Sequence, residues 1–162
     1  MFNSFYRKVG FGLGINDNVT ADPLKWATEQ LNTIPELLWT GWIPSEKEMR
    51  IKYGEWVYGD RKILRKKYKN DKNAYRREKD KLRIKTGERF FELNEHAIRH
   101  YQTKYSKQPV FERFWLFWGN HFAISEKDSL AEFSTGPYQR EIIRPNMIKT
   151  FEDMVQAVTK SW

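Results

Sequence analysis

The sequence predicts an all-α protein, an irregular multi-helix array with a long basic helix or helical hairpin. Three observations carry that prediction. Apolar residues recur at helical spacing in several segments. Residues that start and stop helices bracket those segments. No alternating strand pattern of useful length occurs anywhere. The 162 residues suffice for a domain with a real core, and 40% of them are hydrophobic, so the chain is not compositionally disordered. Seven Trp, eight Tyr and eleven Phe supply large surfaces for burial.

The elements follow in order. Phe5 to Val9 reads as the end of a helix, stopped by Gly10-Phe11-Gly12-Leu13-Gly14. Asp22-Pro23 starts the next helix, with Asp as cap and Pro in the first position, and Leu24, Ala27 and Leu31 repeat behind it. Pro35 and Pro44 bracket a Trp-rich link. Ser45-Glu46-Lys47-Glu48 is a capping box that opens a long helical region to about Lys85, with interruptions expected near Gly54 and Gly59. Gly87 marks a break. Glu88 to Tyr105 is helical, anchored by Phe91, Leu93, Ala97 and Ile98.

Pro109 opens a further helix, in which Phe111, Phe114, Trp115, Trp118 and Phe122 share one face. Trp115 and Trp118 should be buried there, with Glu112 and Arg113 held in polar contacts beside them. Gly136-Pro137 reads as a turn. Met147, Ile148, Phe151, Met154, Val155 and Val158 line one face of a last amphipathic helix, which needs a cover.

Composition excludes some functions. With no Cys there are no disulfides, thiolate metal sites or Cys nucleophiles. No apolar run reaches the ~18 residues a transmembrane helix needs, and no secretory signal is visible, so a cytoplasmic location is expected. The net charge of +8 is concentrated. Residues 61–85 hold thirteen Lys or Arg against Asp71, Glu78 and Asp80, so the rest of the chain is slightly acidic. Within residues 45–107, expected to form a charged helical arm, Leu64, Tyr68, Tyr75 and Leu82 make a thin apolar stripe. Arg65, Lys66, Lys67, Arg76 and Arg77 are the candidates for contacts to nucleic acid, or they form a solvated face.

Three constellations could carry chemistry. Gly10-x-Gly12-x-Gly14 lacks both the spacing and the preceding strand of a dinucleotide loop, so it reads as a helix stop and no cofactor is implied. Glu92, His96 and His100 share a helix face at spacing suited to a metal, with His121 as a conceivable third histidine. A solvated helix surface explains them equally. His121 could act as a general base, or could hydrogen-bond the end of its own helix.

The stretch Pro109-Val110-Phe111-Glu112-Arg113-Phe114-Trp115-Leu116-Phe117-Trp118-Gly119-Asn120-His121-Phe122-Ala123-Ile124-Ser125 resembles the bacterial family called domain of unknown function 1800. Arg7-Lys8-Val9-Gly10-Phe11-Gly12, Trp26-Ala27-Thr28-Glu29-Gln30-Leu31 and Glu141-Ile142-Ile143-Arg144-Pro145, with Phe151-Glu152-Asp153-Met154 and Ala157-Val158, resemble further pieces in family order. Asn146 and Lys149 depart from the family's His and Gly. The resemblance implies a domain that runs on for several hundred residues, of which residues 1–162 would be the N-terminal part. The apolar face of the last helix would then favour self-association or docking onto a separately encoded C-terminal half. The family has no established activity. The expected function is therefore a non-enzymatic remnant or subunit. The alternatives are a nucleic-acid-binding module, or half of a hydrolase-like or metal-dependent domain to which His121, Asn120, Arg113 and Arg144 contribute.

Overall fold

The computed structural model describes residues 2–12, 21–86, 88–124 and 129–161, and within them all side chains except those of residues 2, 3, 88, 89, 92, 129, 130 and 132. Gly14, Gly87, Ser125 and the Glu92 side chain therefore lie outside the described residues. All regular structure among the described residues is helical, as predicted. The chain divides into two compact units. One gathers residues 1–41, 98–123 and 139–162, and the other gathers residues 42–97 and 124–138.

The first unit begins with α1 (Phe2–Val9) and α2 (Pro23–Glu29). α1 ends where expected: the Tyr6 carbonyl accepts from the amides of Gly10 and Gly12 at 3.0 and 3.2 Å. Gly12 sits at φ +100°, a conformation that other residues rarely adopt. Asp22 caps α2 by accepting from the Lys25 amide at 3.0 Å, and Pro23 occupies the first turn. Ala27 is buried, whereas Leu24 is exposed and Leu31 falls beyond the helix.

The same unit holds the end of α6 (Glu88–Tyr105), all of α7 (Pro109–His121), the short α9 (Arg144–Asn146) and α10 (Phe151–Lys160). Its core is Tyr6, Ala27, Ile98, Val110, Phe111, Trp115, Ile143 and Met154. The last helix starts later than the apolar spacing suggests. Thr150 and Asp153 form a reciprocal capping box, so Met147 and Ile148 precede the helix. Half of the predicted apolar face is open: Ile148, Phe151 and Val155 are exposed, Met147 and Val158 are partly buried, and Met154 is buried.

The second unit contains α3 (Glu46–Glu55), α4 (Arg61–Lys67), α5 (Lys72–Thr86), the first part of α6 and α8 (Ser129–Pro137). The Ser45–Glu48 capping box forms as read from the sequence. Met49, Trp56, Phe91 and Phe133 make the core, with Tyr53, Val57, Leu64 and Leu82 packed against it. Leu64 and Leu82 thus confirm two positions of the apolar stripe. Gly54 does not interrupt α3. A widened turn spans Trp56–Asp60, in which the Arg61 amide reaches back five residues to the Trp56 carbonyl. The true break comes at Tyr68 to Asp71, where Asp71 Oδ1 accepts from the amides of Asn73 and Ala74 and starts α5. Beyond that break α5 turns back, with Lys79 Nζ 5.9 Å from the Trp56 ring centroid and Leu82 on the same core as Leu64, so the basic segment is a helical hairpin.

Two further readings of the second unit need correction. Leu93 is exposed and does not anchor α6. Gly136-Pro137 is the end of α8, followed by a second widened turn at Tyr138–Ile143. Proline lacks the amide that a continuing helix uses, and the wider turn accommodates that loss without reversing the chain.

Candidate functional site

α7 organises the first unit. Its inner face carries Val110, Phe111, Glu112, Trp115 and Gly119, all buried. A carboxylate in that row requires a cation and hydrogen bonds, because an isolated buried charge is strongly disfavoured. Arg144 supplies them. Its Nη1 lies 2.6 Å from Glu112 Oε2 and its Nη2 lies 2.9 Å from Glu112 Oε1, a bidentate pair with side-chain exposures of only 3% and 0%. Nη2 also donates to the Pro35 carbonyl at 2.9 Å. The guanidinium lies 4.5 Å from the Trp115 ring centroid and 4.9 Å from that of Phe111.

Gln102 extends this network. Its Nε2 donates to Glu112 Oε1 at 3.0 Å and to the Glu36 carbonyl at 2.9 Å, while its Oε1 accepts from the Leu38 amide at 2.8 Å. The Trp-rich link is held against α6 and α7 by these bonds. Gln30 works similarly at the start of α7. Gln108 offers no side-chain cap, and Gln30 Oε1 instead accepts from the Val110 amide at 3.1 Å. At the other end Trp115 Nε1 donates to the Gln139 carbonyl at 2.9 Å, and Gln139 Nε2 donates to the Gly119 carbonyl at 3.2 Å. A Cβ on Gly119 would run into the Gln139 side-chain amide, which would have to move and give up its bond to the Gly119 carbonyl.

The outer face of α7 holds the other candidates. Arg113 is exposed, donates from Nη1 to the Gly10 carbonyl at 3.3 Å and lies 5.6 Å from the Phe11 ring centroid. Asn120 and His121 are exposed at the C-terminal end of the helix. The His121 ring stacks on Phe117 at 6.1 Å and meets the edges of Trp118 and Phe122 at 5.5 and 4.9 Å. Trp118 is only partly buried, which corrects the expectation that it matches Trp115. Of the four residues offered for catalysis, Arg144 is enclosed with Glu112, while Arg113, Asn120 and His121 face outward.

His96 and His100 are both exposed on α6. Among the described residues no group of three His, Asp or Glu side chains is placed to hold a metal ion. Arg65, Lys66, Lys67, Arg76 and Arg77 are all exposed on the hairpin. Two of the three acids there are engaged within it. Asp71 caps α5, and Glu78 pairs with Lys81 at 2.7 Å, which holds the Glu78 carboxyl below its usual range. Burial pushes the Tyr138 phenol up.

The network residues missed by sequence reading are Gln102 and Gln139. Neither lies in a spacing that signals its role. Gln30, Glu112, Arg113 and Arg144 do lie in the quoted motifs, and the contacts explain the motifs physically. Arg113 meets the Gly10-Phe11 segment, Gln30 meets Val110, and Arg144 meets Glu112, so three separated pieces converge on α7.

No described helix is long and apolar enough to cross a membrane. Comparison with curated proteins and with solved structures finds no match. A family model described as "Protein of unknown function (DUF1800)" matches residues 4–162. With that match over nearly every residue, the chain belongs to the DUF1800 family.

Proposed function

We propose that the chain acts as a non-enzymatic helical subunit, the N-terminal part of a larger helical assembly, completed by a further segment that covers α10 and the end of α7. One observation carries this reading. Phe151 is 60% exposed, Val155 and Ile148 flank it in the open, and its ring lies 5.8 Å from Trp118 and 6.4 Å from Phe122. Clustered apolar rings at a surface mark an interaction site. The occupant is the continuation that the resemblance implies, with self-association in its absence.

The test expresses residues 1–162 alone and with that continuation added in trans. Alone, the chain should bind an uncharged hydrophobic dye and self-associate in sedimentation. With the continuation present, dye binding should fall and the melting temperature should rise. A sharply melting monomer that binds no dye and ignores the added segment would overturn the proposal.

A second reading, nucleic-acid binding, is favoured by the hairpin's exposed Arg65, Lys66, Lys67, Arg76 and Arg77, with Asp71 and Glu78 engaged locally. Its test is salt-dependent binding to duplex DNA. The half-enzyme reading rests on His121, Asn120 and Arg113 with a metal or a completing segment. Metal retained through purification and lost in a His121→Ala variant would support it.

A further inference from the structure

We propose that the groove between α1 and α7 is a binding site for a small carboxylate on a compact apolar body. It is a cavity of about 370 Å³ lined by Lys8, Val9, Arg113, Phe114 and Phe117. That volume falls at the small end of the ~300–1,000 Å³ usual for ligand pockets. Its floor is apolar: Val9 is partly buried, and Phe114 and Phe117 show 38% and 55% exposure. Its polar groups are both cations. Among the described residues no carboxylate lines it, and neither Lys8 nor Arg113 is in an ion pair.

The two cations differ in a useful way. Arg113 is restrained, since Nη1 is bound to the Gly10 carbonyl at 3.3 Å and the guanidinium lies 5.6 Å from the Phe11 ring centroid. Its remaining N–H groups supply a planar fork that can bind a carboxylate at two points. Lys8, in the last turn of α1, is a flexible point charge. An anion held by the fork with its apolar body against Phe114 and Phe117 satisfies both halves of the groove. A neutral apolar molecule would leave the cations unused, and a bare inorganic anion would leave the rings wet. The site shares no lining residue with the apolar face of α10, although the Phe117 ring lies 5.0 Å from that of Trp118.

The probe is 1-naphthoate, with 1-naphthalenemethanol as the uncharged analogue. Calorimetry on the full chain measures affinity, and methyl NMR shifts of Val9 report location. Saturable one-to-one binding of 1-naphthoate that shifts Val9 is expected. Lys8→Gln and Arg113→Gln should each weaken it about tenfold, the scale of a lost charged hydrogen bond. Arg113→Lys keeps the charge without the fork and should fall between. Lys8→Gln keeps the test sound if Arg113→Gln unfolds, because Lys8 is exposed on α1. Absence of saturable binding, equal affinity for the alcohol, or binding unchanged by Lys8→Gln and Arg113→Gln would overturn the proposal.

Discussion

Arginine has opposite roles in the two units. Around α7, Arg144 is enclosed, stacked between rings and paired with Glu112. On the hairpin, Arg65, Arg76 and Arg77 stand in solvent. A buried charge is tolerated only with complete partners, so the first case specifies one arrangement of the chain. An exposed charge constrains the fold little, so the second is open to solubility or to a partner. Motif residues are therefore an unsafe guide to catalysis in this molecule. Those in the DUF1800 pattern whose contacts are clearest hold helices together.

The sharpest way to break the comparison is to remove one member of the buried pair. Glu112→Ala should destabilise the protein by about 3–5 kcal/mol, because Arg144 is left buried and uncompensated. Replacing both, Glu112→Met with Arg144→Leu, should recover much of that loss, although the Pro35 carbonyl and Gln102 also lose a partner. Denaturant unfolding measures both. A double variant no more stable than the single would show that the polar network stabilises the fold in its own right.

Trp115→Ala should rank close behind, at about 3–5 kcal/mol for a large core truncation. It also removes the donor to the Gln139 carbonyl. Trp118→Ala should cost clearly less, since Trp118 is partly exposed. Gly119→Ala should cost about 1–3 kcal/mol through collision with Gln139. Equal melting of the two Trp variants would show that the faces of α7 are wrongly assigned.

Legibility in the sequence followed the range of each interaction. Starts of helices were readable because caps are local: Asp22 and Ser45 act within three residues of their partners. The Glu112–Arg144 pair spans 32 residues, and the Gln102 bond to Glu36 spans 66. No periodicity announces such pairings. Amphipathic spacing located the aromatic helix and its buried Trp115, but it could not tell how much of a face finds a cover. Hence Trp118, Leu93 and Leu24 are more exposed than their spacing suggests. Thr150-x-x-Asp153 was a readable local signal, masked by the apolar run from Met147 that extends past it.

On the hairpin the expected effect is small. Reversing Lys66, Lys67, Arg76 and Arg77 to Glu should change stability by less than about 2 kcal/mol in total, since single surface changes usually stay within about 0.5 kcal/mol. The same variant sharpens the nucleic-acid reading. Wild-type affinity for duplex DNA should then fall with salt by a logarithmic slope of roughly −0.9 per neutralised phosphate, and the reversal should abolish it. Unfolding by the reversal would mean that the hairpin charges have structural partners.

The smallest effect compares one cap from each unit. Glu48 opens α3 and Asp153 opens α10, and each carboxylate accepts from the backbone and hydroxyl of its own cap residue, Ser45 or Thr150. Those bonds hold both carboxyl groups below their usual range. A depressed folded-state value means that the ionised form favours folding. The stabilisation is complete above the unfolded-state pKa and is lost as pH falls through the folded one. Glu48→Gln and Asp153→Asn should therefore lower stability slightly near neutrality and converge on wild type in acid. Hydrogen exchange at the first turns of α3 and α10, followed as pH is lowered, would resolve each cap separately. If the two helices respond alike, the caps are equivalent local devices. If α10 alone frays, its uncovered apolar face leaves it dependent on its cap, as the subunit reading expects. If α3 frays first, that dependence belongs to the hairpin-bearing unit, and the open face of α10 is sufficiently supported by Met154 and its neighbours.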